Sequence, residues 1–167
     1  MRNIFIYSTS NGQSLKICNA INKNKESLII DIDKIKTVEL NKFDQIIIGA
    51  SVKYGDHNKK IYDFIKNNKI LLETKKTGFF SVNATARKSE KNKPETNPYV
   101  IIFLKKTNWT PDNIGVFAGK IDFPNYNFLE KYIIKVIMWI TNGPTDTSKT
   151  FEFTDWEDVK KFSDKIN

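Results

Sequence analysis

Short apolar runs alternate along this chain with segments of helical spacing. Asn3 to Tyr7 is an apolar run that stops at Ser8-Thr9-Ser10-Asn11-Gly12, the pattern of a buried strand ending in turn-forming residues. A helix is predicted from Ser14 to about Lys25, where Leu15, Ile17, Ala20 and Ile21 mark an apolar side. Ser27 to Ile32 reads as the next strand, and the Ile-rich Gln45 to Gly49 as one buried on both faces of a parallel sheet. Ile61, Phe64 and Ile65 put helical spacing on Lys59 to Leu72, and Thr77 to Val82 and Ile114 to Ala118 complete five candidate strands.

Strands that alternate with helices imply right-handed βαβ units and a parallel sheet covered on both faces, an α/β fold. Ligands of such sheets bind beyond the carboxyl ends of the strands, near the point where the strand order reverses. That rule singles out the loops Ser8 to Ser14, Ala50 to Asp56, and Ser81 onward. No repeat or Gly/Ser linker divides the chain, so residues 1–167 read as one domain. Two stretches read as insertions: the polar, basic 84–98 and the aromatic-rich 122–143.

Composition narrows the class. At 167 residues with 40 % hydrophobic and 13 % aromatic content, the chain can bury a sizeable core. Its net charge of +8 comes from lysines spread along the chain and attracts anionic partners. Nucleic acid is not the expected one, because charge alone favours it and no nucleic-acid motif is present. The single cysteine, Cys18, cannot form an internal disulfide, and Met1 to Tyr7 leads straight into a loop without a signal-like segment, so a cytoplasmic setting is expected. The most apolar stretch, Ile133 to Ile140, is broken by Lys135 and is too short to cross a bilayer. One Cys and one His cannot make a zinc or iron site, so no metal is expected.

The loop Ser8 to Ser14 sets hydroxyls and a glycine between the first strand and the first helix. A phosphate monoester needs many donors, and hydroxyls, backbone N–H groups and a helix N-terminus supply them. An ordinary capping loop is the alternative, with Ser14 as the N-cap. The loop is neither a Walker loop nor a Gly-x-Gly-x-x-Gly turn, and it suits the phosphate of flavin mononucleotide (FMN) better.

In these residues the chain resembles the flavodoxin family, whose signature is an apolar strand, an aromatic, a hydroxyl-rich loop, a small residue and a Thr at the helix start. Tyr7, Thr9 and Gly12 match; Ser14 replaces the Thr and keeps its hydroxyl, Phe5 replaces an aliphatic, and Cys18 stands where Ala is frequent. Later segments resemble one branch, the menaquinone-dependent protoporphyrinogen IX dehydrogenases: Ile48 to Gly55, Phe80 to Asn83 with Ala86-Arg87-Lys88, Trp109 with Pro111-Asp112, Ala118-Gly119, Ile134 to Met138, and Thr145-Asp146-Thr147 with Thr154-Asp155-Trp156. The resemblance covers nearly the whole chain.

The resemblance implies a flavodoxin-like three-layer sandwich with a five-stranded parallel sheet in the order 2-1-3-4-5 and helices on both faces. It implies FMN as cofactor, a porphyrinogen as substrate, a quinone as acceptor and peripheral contact with the inner face of the cell membrane. A basic chain fits this better than it fits a flavodoxin-type electron carrier, since such carriers are typically acidic. The implied cofactor residues are Thr9, Ser10, Asn11, Gly12, Gln13 and Ser14 for the phosphate, with Ser51, Val52, Tyr54 and Gly55 in the second loop and Ser81, Val82 and Asn83 at the polar edge of the flavin. Tyr54 is placed to stack on the isoalloxazine or, alternatively, to cover the sheet edge.

Arg87 and Lys88, followed by Lys91 and Lys93, are placed to meet substrate propionates, the alternative being a solvated loop. His57, the only histidine, reads as an exposed loop residue, the alternative being a general acid for which no second catalytic partner stands nearby. The helix predicted over 126–141 has a wide apolar arc that packs on the core for most of its side chains or else rests on a membrane surface. Asp155-Trp156-Glu157 opens the last helix, where acidic residues suit its N-terminus.

Overall fold

The computed structural model describes residues 2–23 and 27–166. Its central sheet grows from two apolar runs whose alternate side chains point to opposite faces. In β1 (Asn3–Ser8) and β3 (Gln45–Lys53), Phe5 and Ile47 face one side, and Ile4, Ile6, Ile46 and Ile48 face the other. β2 (Leu28–Asp31), β5 (Lys76–Val82) and β6 (Asn113–Phe117) complete a parallel sheet in the order β2-β1-β3-β5-β6. A two-residue strand β4 (Asp56–His57) folds back antiparallel on β3 and raises the numbering of later strands by one. The expected order 2-1-3-4-5 is therefore the observed order of the five parallel strands.

Parallel pairing sets Gly49 opposite Phe80. A β-carbon at Gly49 would lie 2.1 Å from Cζ of that ring, so the residue that lets β3 and β5 pair at this level cannot carry a side chain.

Each face of the sheet is closed by helices. α1 (Gln13–Ile21) and α5 (Trp156–Ile166) cover the Phe5 side, with Ile17, Cys18, Ile21, Val159, Phe162 and Ile166 packed on it. α2 (Lys59–Leu72) and α3 (Pro98–Thr107) cover the Ile4 side, where Phe79 and Phe103 stack with ring centroids 4.2 Å apart. α2 has the predicted bounds. α1 ends at Ile21, four residues before the predicted end, and Lys25 lies outside the described residues.

α3 is not predicted from the pattern. Its core run Val100 to Leu104 is apolar all round, which erases the 3.6-residue period. Asn97 and Pro98 nevertheless mark its start: the Asn97 side chain accepts from the N–H groups of Tyr99 and Val100, and proline occupies the first turn.

Residues 120–152 stand beside the sheet. β7 (Lys120–Asp122) pairs antiparallel with β8 (Thr150–Glu152), and between them lies α4 (Phe128–Ile140), capped by the Asn127 side chain. A small apolar cluster of Ile121, Phe123 and Met138 holds this unit together. The expectation that α4 packs most of its apolar side chains into the core is corrected here: of its thirteen residues only Met138 is buried, and Phe128, Trp139 and Ile140 are 89 %, 74 % and 67 % exposed. The crossover rules place one helix per connection, and both faces of the sheet are already covered by α1, α2, α3 and α5.

Candidate functional site

The loop after β1 turns through Gly12, whose φ of 82° lies in the left-handed region that glycine alone adopts freely. Gly12 is therefore the N-cap of α1, and no side chain caps the helix. Ser14 sits inside the first turn and does not cap it, so the capping alternative fails on geometry.

The hydroxyls of Ser8, Thr9 and Ser14 are buried and have no hydrogen-bond partner among the described residues. Buried polar groups are nearly always paired, because an orphaned hydroxyl forfeits its hydrogen bonds to water. Three of them around a helix N-terminus with no acidic residue in its first turn are matched to an anion with several acceptor oxygens. The remaining loop residues are held in place. Asn11 donates to the carbonyl of Lys120 at 2.8 Å, Ser10 Oγ lies 3.3 Å from Ser51 Oγ, and the Gln13 side chain donates to Glu152 and Thr154. These contacts tie the loop after β1 to the end of β3 and to the β7–β8 pair.

At the end of β3, Tyr54 adopts a left-handed φ of 54° and Gly55 follows at 88°. The Tyr54 ring is 78 % exposed. Its hydroxyl donates to Glu130 of α4 at 2.6 Å, and Lys53 Nζ lies 3.1 Å from the same carboxylate and 4.9 Å above the ring. The Tyr54 bond first and then Lys53 lower the Glu130 pKa, and the bond to Glu130 raises that of the Tyr54 phenol against the pull of Lys53. An exposed aromatic face at the sheet's carboxyl edge is thus fixed to α4 by its rim.

Ser81, Val82 and Asn83 are buried. The Asn83 N–H donates to Phe117, and its side-chain amide donates to Ser81 Oγ at 3.0 Å. Asn97 donates back to Asn83 and to the carbonyl of Lys91, which closes residues 83–97 into a pinned loop. Arg87, in that loop, donates to the Ala84 carbonyl and to both oxygens of Thr141 at the end of α4. Lys88 follows it, half-buried.

His57 is not the exposed loop residue expected. It is 5 % exposed, caged by Tyr62, Phe79 and Phe103, with Nε2 2.8 Å from Ser81 Oγ and a buried Nδ1 that has no partner among the described residues. Burial drives its pKa down to about 4, against the pull of Asp56. Asp56 itself accepts from Tyr62 and Lys106; those bonds outweigh its burial and lower its pKa. β4 is what carries His57 inward, and a two-residue hairpin strand has too short a pattern to read from sequence. Asn97, Lys120 and Glu130 are likewise drawn into this region by pairing and loop closure, which sequence spacing does not reveal.

Comparison with known proteins follows the same lines. A family model described as a flavodoxin domain matches residues 4–148. A protoporphyrinogen IX dehydrogenase (quinone) of Escherichia coli K12 is 34 % identical over 171 residues, covering 99 % of this chain and 94 % of that protein. One of the same name from Leishmania major is 34 % identical over 166 residues, covering 96 % and 72 %. Among solved structures, oxidised flavodoxin 2 from Bacillus cereus aligns over 99 % of this chain and 95 % of its own, with a TM-score of 0.54 and 17 % identity.

Proposed function

This chain belongs to the flavodoxin-domain family, and from that premise we propose that it is an FMN-dependent dehydrogenase that oxidises protoporphyrinogen IX to protoporphyrin IX with a quinone as acceptor. The observation that carries the reading is the set of three unpartnered, buried hydroxyls around the N-terminus of α1. Ser8, Thr9 and Ser14 would donate to the FMN phosphate, first-turn N–H groups of α1 would add further donors, and Gly12 would let the backbone approach it. Ser10, Asn11 and Gln13 keep this loop in register through their bonds to Ser51, Lys120 and Glu152.

When bound, FMN would supply two-electron acceptor chemistry, and the six-electron oxidation of the porphyrinogen would take three such rounds, each reducing one quinone to quinol. The chain's own residues orient and screen. Tyr54 would stack on the isoalloxazine, its phenol rim held by Glu130 and Lys53. Val52 and Gly55 on either side of it, and the buried Ser81, Val82 and Asn83, would meet the polar edge of the ring. Arg87 and Lys88 set positive charge beside the site for the propionates of the substrate. The protein works in peripheral contact with the inner face of the membrane, where the quinone resides. No described helix is long and apolar enough to cross a bilayer.

The test is anaerobic turnover of protoporphyrinogen with a menaquinone analogue, followed by porphyrin fluorescence. Porphyrin will form in proportion to bound FMN and stop without quinone; a rate that does not respond to FMN would remove the reading.

Arg87→Ala is expected to raise the apparent KM for porphyrinogen about tenfold, the loss of one charge-assisted hydrogen bond, while the Kd for FMN changes less than about twofold. Equal changes in both would show that Arg87 acts only through its bonds to Thr141.

A further inference from the structure

The apolar face of α4 has no counterpart among the described residues. Counted at about 100° per residue, its exposed side chains order themselves around the helix. Lys135 and half-buried Lys131 lie at one border, then come the aromatics Phe128, Trp139 and Tyr132. An aliphatic sector of Leu129, Ile133, Ile137 and Ile140 follows, and Glu130 closes the far border, held by Tyr54 and Lys53. The exposed arc spans half the circumference and, over thirteen residues, about 20 Å of length. Soluble surfaces seldom leave so broad an apolar stripe to water.

We propose that α4 is a docking helix that lies in the surface of an anionic phospholipid bilayer, with its aliphatic sector among the acyl chains, its aromatics at headgroup level and Lys131 and Lys135 against the phosphates. The succession of lysine, aromatic and aliphatic positions is the succession of phases a helix meets when it lies flat at that interface. Charge agrees, since a chain of net +8 is drawn to an anionic surface. The helix is held at points that leave this face free: the buried Met138, the Thr141 oxygens on Arg87, and Glu130 on Tyr54. The docking surface belongs to α4 alone. Its consequence for electron delivery rests on the proposed reaction: the Glu130–Tyr54 bond places the aromatic face of the site at the docked border, within reach of a quinone held in the bilayer.

The experiment is co-sedimentation of the FMN-loaded protein with vesicles of phosphatidylcholine alone and of phosphatidylcholine with phosphatidylglycerol in equal parts, alongside analytical ultracentrifugation without lipid. The unaltered protein will partition onto the mixed vesicles, and Ile137→Ser with Trp139→Ser will lower that partitioning at least about tenfold. Because both side chains are exposed, the double variant will keep its melting temperature, its FMN affinity and its turnover with a water-soluble quinone analogue. Lys131→Ala with Lys135→Ala will lower the preference for anionic over neutral vesicles about tenfold. No partitioning by the unaltered protein, or equal partitioning by the Ile137/Trp139 variant, overturns the proposal. A self-associated species that the same variant dissociates, without vesicle binding, overturns it in favour of a second copy of the chain. Turnover of porphyrinogen with the soluble analogue but no vesicle binding would remove the docking surface and leave the reaction standing; vesicle binding without turnover would do the reverse.

Discussion

Ser14→Ala is expected to stabilise the FMN-free chain and weaken its hold on FMN in the same stroke. The Ser14 side chain is fully buried, and its hydroxyl has no partner among the described residues, so the free chain carries a polar group taken out of water without compensation. Relief of such a group is worth about 1 kcal/mol or more, which for a domain of this size raises the melting temperature by roughly 2–4 °C. In the complex the same hydroxyl donates to a charged phosphate oxygen, a bond worth about 1.5–3 kcal/mol, so the Kd for FMN rises by roughly ten- to a hundredfold. Melting of the FMN-free protein and a flavin-fluorescence titration read the two effects separately. A melting temperature that falls together with the affinity would mean that Ser14 holds the loop rather than the phosphate. Ser8 belongs to the same set, so Ser8→Ala will shift both quantities in the same directions.

The second large effect is acid destabilisation through His57. Its folded pKa is pushed down to about 4, whereas the unfolded chain titrates near the ordinary 6.5. Between those values the unfolded chain binds a proton that the folded chain refuses, so stability is present above about pH 6.5 and is lost as the pH falls toward 4. Across that window the loss amounts to about 3 kcal/mol. His57 is the only histidine, and the lowered carboxylates, such as Asp56, Asp122 and Glu152, act mainly below it, so the window from pH 6.5 to 4.5 reports this side chain. Urea unfolding at pH 7.0, 6.0, 5.0 and 4.5 will show the decline, and His57→Gln will flatten it. An unchanged slope in that variant would assign the acid sensitivity elsewhere.

The same residue shows where a sequence stops being informative. His57 follows Tyr54-Gly55-Asp56, a polar stretch with every mark of a surface loop. What buries it is the pairing of Asp56 and His57 with Lys53 and Val52, a two-residue ladder that leaves no periodicity to detect. Glu130 and Tyr54 stand 76 positions apart and meet only because α4 swings beside the β3 loop. Asn97 looks like a loop asparagine, yet it caps α3 with its oxygen and ties off the 83–97 segment with its amide.

The sheet and the hydroxyl-rich loop after β1 were legible for the opposite reason. Runs such as Ile46-Ile47-Ile48 have one place to go in a water-soluble chain, and a strand followed at once by hydroxyls and a glycine sets out its chemistry within about ten contiguous residues. Local sequence therefore determined the five parallel strands, α2 and the turn at Gly12, because burial and backbone freedom act through neighbouring positions. The tertiary structure decided the fate of α4. Its apolar stripe is equally suited to the interior of a doubly wound fold and to an outside surface, and only the prior occupation of both sheet faces by α1, α2, α3 and α5 leaves that stripe turned to the solvent.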